Sequence, residues 1–100
     1  MKYVVAWTSR DSGTTEVDSK RTLAIFSKWT PSASATFHQF VGRVDGNGGF
    51  AIVETDNPSD ILKDVSTFSP WLKYEVFPVV DIADVATTGA EAIAFRDSIS

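Results

Sequence analysis

Between Lys2 and Thr8 the chain reads KYVVAWT, with Tyr3, Val5 and Trp7 on one side and Val4 and Ala6 on the other. β-branched and aromatic residues at period two predict a strand. SRDSGTTE breaks the period, and Thr14 or Thr15 is placed to cap a helix by accepting from its orphan amides. That helix runs roughly from Glu16 to Trp29, with Thr22, Ile25, Phe26 and Trp29 at helical spacing and Leu23 alongside. Thr30-Pro31 ends it, because the residue before proline is pushed out of helical space. After the small residues PSASAT, Phe37 to Asp45 and Phe50 to Thr55 predict two strands around DGNGG. Asn47-Gly48 fits a two-residue type I′ turn, in which both positions need positive φ. Asp56 or Asn57 then caps a helix with Pro58 at its first position and Ile61, Leu62, Val65 and Phe68 as its stripe. Ser69-Pro70 stops it, and Leu72 to Val80 is a fourth strand, placed at an edge or strand end by Pro78. Asp81 opens a last helix through about Ser98. Ile82, Val85, Ala86, Ile93 and Arg96 lie on one side of it, with Phe95 and Ile99 near another.

The order is β-α-β-β-α-β plus a C-terminal helix. It predicts an α+β, ferredoxin-like domain over residues 1–100: a four-stranded antiparallel sheet with helices on one face. A sheet with one wet face alternates apolar and polar residues, and these strands do not. Phe37 and Val41 stand against Phe40 and Val44, and Phe50 and Ile52 against Ala51 and Val53. Two helices cover one face only. Either a second copy of the sheet covers the other in a symmetric homodimer, the favoured reading, or the C-terminal helix folds back over it in a monomer.

One hundred residues at 43% hydrophobic and 22% charged suit one compact domain. The net charge of -4, with nine basic residues dispersed along the chain, argues against nucleic acid, which needs a concentrated basic face. The chain has no cysteine, which removes disulfides, thiolate catalysis and Cys-based metal sites and fits the cytoplasm. MKYVVAWTSRD is too briefly apolar for a signal segment or a membrane span, so a soluble cytoplasmic protein is expected.

KYVVAWT, FSKWTPS, FHQFVGRVDGNGGFAIVETD, FSPW and FPVVDI together resemble a family of short bacterial proteins of unknown function. That family is similar to the dimeric α+β barrel superfamily, which includes cofactor-free monooxygenases, stress-responsive barrels and haem proteins. The resemblance spans nearly the whole chain and implies the barrel dimer. It implies no activity for particular residues.

GNGGFA formally matches a dinucleotide fingerprint, but a strand follows it where a helix is required. DGNGG resembles the start of a calcium loop, yet Phe50 stands where that loop needs its glycine, and flanking helices are lacking. One histidine and no cysteine leave zinc without ligands, so no metal or other cofactor is assigned; by count alone a haem on His38 stays open. The acid pairs Asp56/Asp60 and Asp81/Asp84 sit at helix starts, where they complement the dipole.

His38 is the sharpest candidate for chemistry. Its pKa class suits a general base in an aromatic pocket with Trp7, Trp29 or Tyr74; equally, it is a strand-end histidine satisfied by backbone or solvent. On the I′ register Arg43 and Glu54 are diagonal neighbours, as an ion pair or a ligand clamp, and His38 shares a face with Phe40, Val44, Ala51, Val53 and Thr55. Trp7, Trp29, Arg43, Glu54 and Tyr74 are therefore the candidate ligand-binding residues and His38 the candidate catalytic one. Three functions are compatible with this set. They are a homodimeric barrel holding a small hydrophobic or aromatic ligand, a cofactor-independent monooxygenase or isomerase using His38, and a structural dimer with a self-filled core.

Overall fold

The computed structural model describes residues 1–10 and 15–99. Its elements are β1 (Lys2–Ser9), α1 (Glu16–Lys28), β2 (Thr36–Gly42), β3 (Gly49–Glu54), α2 (Pro58–Phe68), β4 (Leu72–Val79) and α3 (Ile82–Ile99). The strands form one sheet in the order β2-β3-β1-β4 with every pairing antiparallel, the ferredoxin-like topology. β4 is an edge, so Pro78 sits opposite Tyr3 where the sheet has no further neighbour to bond.

Local chemistry sets the helix ends. Thr15 caps α1, its hydroxyl oxygen accepting from the Asp18 N–H at 3.1 Å; Thr14, the other candidate, lies outside the described residues. Trp29 leaves the helix in extended backbone while its N–H still bonds the Ile25 carbonyl at 2.9 Å. Asn57 caps α2, accepting from Ser59, and Pro58 fills the first position. The Asp81 carboxylate at the start of α3 is engaged by Lys2, whose Nζ lies 2.8 Å away.

The hairpin differs from the expected I′ turn. Val41 faces Phe50 and Gly42 faces Gly49, leaving residues 43–48 as a longer loop. Positive φ falls on Gly46 and Gly48 and not on Asn47, so the type I′ requirement is unmet. Instead the Asp45 carboxylate accepts from the Asn47 N–H and from the Arg43 guanidinium, and the Arg43 N–H closes the loop on the Gly48 carbonyl at 2.8 Å. The second departure is a β-bulge: Phe37 faces Val53 and Gln39 faces Ile52, so His38 is the extra residue.

The sheet registers sort the residues into two faces. Tyr3, Val5, Trp7, Ala51, Val53 and Tyr74 face α1 and α2, where Val5, Ala51, Val53 and Ile61 make the core. The opposite face carries Val4, Ala6, Val41, Phe50, Ile52 and Phe77. Phe50, Val41 and Phe77 are 47–49% exposed there. α3 does not fold back over this face as a cover, and buries none of its residues. Ile82 is 82% exposed and Phe95 67%. The molecule measures 62 × 29 × 20 Å with a radius of gyration of 17.9 Å, against about 13 Å for a compact chain of this length. An 18-residue helix is about 27 Å long and, standing away from the sheet, accounts for that elongation.

Gly49 is buried beneath the Trp7 ring, and a Cβ there would run into both that ring and the Val41 carbonyl. Gly49→Ala is therefore expected to cost about 1–3 kcal/mol in chemical denaturation, with Trp7 forced off its site. An unchanged midpoint would show that the indole has room to move.

Candidate functional site

α1 supplies only partly buried residues to the interior, so the helical layer stands off the sheet and leaves a cavity of about 380 Å³ beneath it. Its walls are aromatic because the inward positions of five elements, β1, α1, β2, α2 and β4, carry rings. Trp7 meets Phe40 edge-on at 5.6 Å between centroids, Trp29 meets Phe68 at 5.8 Å and Phe26 stacks on Trp29 at 5.8 Å. Tyr74 closes another side, 6.4 Å from Trp7. Edge-to-face packing of this kind fixes ring orientations and rigidifies the walls.

Among the described residues one ionic group lines the cavity. Asp64 projects from α2 with the core residues Ile61 and Phe68, at spacings of three and four, and its Oδ1 accepts from the Trp29 Nε1–H at 3.1 Å. Burial raises the Asp64 carboxyl above the usual carboxylate range, against the lowering effect of the Trp29 bond. Burial also pushes the Tyr74 phenol up to about 12, and the Asp64 charge adds to that shift. Asp64 did not stand out among the sequence candidates. The available signal was a carboxylate in register with Ile61 and Phe68, on the face a helix gives to its core.

Trp7, Trp29 and Tyr74 of the sequence candidates come together at this cavity. His38, Arg43 and Glu54 do not. The bulge turns His38 onto the open face, where its Nε2 lies 2.7 Å from Glu54 Oε1, both side chains being exposed. It therefore does not share the Phe40 and Ala51 face, as the simple register implied. Arg43 is paired with Asp45 and not with Glu54, because the longer loop moves it off the ladder. The His38 hydrogen bond holds the Glu54 carboxyl below its ordinary value. Among the described residues no cluster of three His, Asp or Glu side chains is arranged to hold a metal. No described helix is long and apolar enough to cross a membrane.

The profile of a family described as Domain of unknown function (DUF3303) matches residues 1–93, and the chain belongs to that family. The ferredoxin-like topology supports its similarity to the dimeric α+β barrel superfamily. No curated protein matches the chain.

Two titrations check this geometry. The folded-state pKa of Asp64 is raised, so its carboxyl favours folding while protonated and loses that contribution as pH rises through the raised value. Asp64→Asn, which keeps an oxygen for Trp29, should gain stability over the wild type at pH 7, and the gain should shrink as pH falls below the carboxylate range. A gain independent of pH would assign the effect to packing. By carboxyl NMR, His38→Ala should raise the Glu54 pKa; an unmoved Glu54 would mean that the pair does not form in solution.

Proposed function

We propose that the protein is a homodimeric small-molecule binding protein. A small hydrophobic or aromatic ligand occupies the cavity between sheet and helices, and a second copy covers the open sheet face. The observation that carries this reading is the placement of the aromatic-walled cavity on the face opposite the exposed apolar one. Each face then has its own occupant. A space of about 380 Å³ lies in the size class of small-ligand sites, which favours a bound molecule over a self-filled core.

The exposed apolar residues of the sheet and of α3 support the dimer. Phe50, Phe77 and Val41 from the sheet, with Ile93 and Phe95 from α3, exceed what scattered surface hydrophobics need. In this arrangement α3 of each chain reaches over the partner. A cysteine-free chain fits work in the reducing cytoplasm. Turnover through His38 has less support, since the sheet separates that imidazole from the cavity.

Two variants should dissociate the two halves of the proposal. Light scattering on the wild type should give twice the 10.9 kDa chain mass, and Phe77→Glu on the open face should give the single-chain mass. The neutral probe N-phenyl-1-naphthylamine should quench tryptophan emission in both. Thr22→Phe, which places a ring into the cavity from α1, should lose probe affinity at least tenfold and stay dimeric. A wild-type monomer at micromolar concentration contradicts the dimer, and probe binding indifferent to Thr22→Phe contradicts the ligand site.

A further inference from the structure

The character of the cavity wall narrows the ligand class. Among the described residues its lining includes no Lys, Arg or His, and Asp64 is the one group there able to carry a charge near neutral pH. Trp29 satisfies Oδ1 of that carboxylate with a neutral N–H, and Oδ2 has no hydrogen-bond or ion-pair partner among the described residues. Lys63, its neighbour on α2, is exposed and does not line the cavity. Around this single anion stand Phe26, Trp29, Phe37, Phe68 and Tyr74. The faces of such rings carry negative potential, so they attract a cation and repel an anion. A net charge of -4 over the whole chain acts in the same direction at longer range.

We infer that the cavity is selective for a hydrophobic organic ammonium, an arylalkylamine in its protonated form, whose charged head pairs with Asp64 and whose ring packs among the aromatic walls. This rests on the cavity being a ligand site and adds the charge class that the site takes. Three features of this chemistry fit together. The ammonium supplies the counter-charge that the carboxylate lacks. Its N–H bonds use the acceptor capacity that Trp29 leaves free, and a charge-assisted bond is about twice as strong as a neutral one. Its hydrocarbon part fills the apolar remainder of the cavity. The raised Asp64 carboxyl is the mark of a charge whose neutralisation is favourable, and a bound cation achieves it without protonation.

A carboxylate ligand would meet Asp64 as a like charge, with no basic group among the described lining residues to offset it. A neutral ligand of the same shape would gain the aromatic contact alone. The three cases are separable with three probes of one skeleton: 2-phenylethylamine, protonated at pH 7; 2-phenylethanol, neutral; and phenylacetate, anionic.

Isothermal titration of the full chain with each probe, with tryptophan fluorescence as a second readout, provides the test. The ammonium should bind at least tenfold more tightly than the alcohol, and phenylacetate most weakly. Asp64→Asn should cut ammonium affinity at least tenfold and leave the alcohol within about twofold; Asp64→Glu should recover most of the loss. Equal affinities for ammonium and alcohol, unaffected by Asp64→Asn, would overturn the charge selectivity while leaving the cavity as a neutral ligand site. Tighter binding of phenylacetate would overturn it as well. Failure of all three probes to bind or to perturb tryptophan emission would overturn the cavity reading itself, and this inference with it.

Discussion

Two helices can shield one face of a four-stranded sheet, and this sheet is apolar on both. That mismatch between what the chain must bury and what it can cover by itself governs the rest of the structure. On one side α1 and α2 cover Val5, Ala51 and Val53, which are nearly inaccessible. On the other, Phe50 and Phe77 stand half exposed beside Val4, Ala6 and Ile52, while α3 points away and buries nothing. At about 25 cal/mol per Å² of apolar surface removed from water, a face of this kind is a strong drive toward association. The homodimer is the arrangement in which the same surface serves as both ligand and receptor, so one sequence need encode only one patch.

The sheet also divides the chemistry. The cavity's rings and Asp64 lie on its helical side, and the His38–Glu54 and Lys2–Asp81 pairs lie on or beside the open face. Both pairs are exposed, and such pairs contribute little to stability by themselves. In the proposed homodimer, pairs at the rim of the apolar patch would fix the orientation and register of the two copies. Asp64 occupies the contrasting environment, where partial burial raises its carboxyl above the usual range. On the helical side Gly49, opposite Trp7 in the ladder, leaves room for the indole to lie against β3 and form part of the cavity wall.

Much of the fold was legible in the chain, and what was not has specific causes. Alternation in KYVVAWT, the Thr15 and Asn57 caps and the Pro58 and Pro70 punctuation each carry a local physical cause, so they place β1, α1, α2 and β4 within a residue or two. The hairpin loop departs from the I′ turn that Asn47-Gly48 favours in isolation, because Asp45 offers a competing side-chain acceptor to the Asn47 N–H. The bulge at His38 left no mark in the hydrophobic pattern, since a single extra residue flips a face without changing composition. Of the candidate site, Trp7, Trp29 and Tyr74 were accessible from sequence because large aromatics on the helix-facing side have few other places to go. Asp64 does not stand out in the sequence because it follows Lys63 in an ordinary charged pair, and its significance depends on Trp29 being brought across from 35 residues away.

The central claim is that a second copy, and not the chain's own α3, covers the open sheet face. Isotope-filtered NOESY on a one-to-one mixture of labelled and unlabelled protein reads this directly. Intermolecular NOEs should appear between methyls of Val4 and Ile52 on one chain and open-face or α3 side chains of the other. NOEs from α3 to that face confined within a single chain, with none between chains, would contradict it.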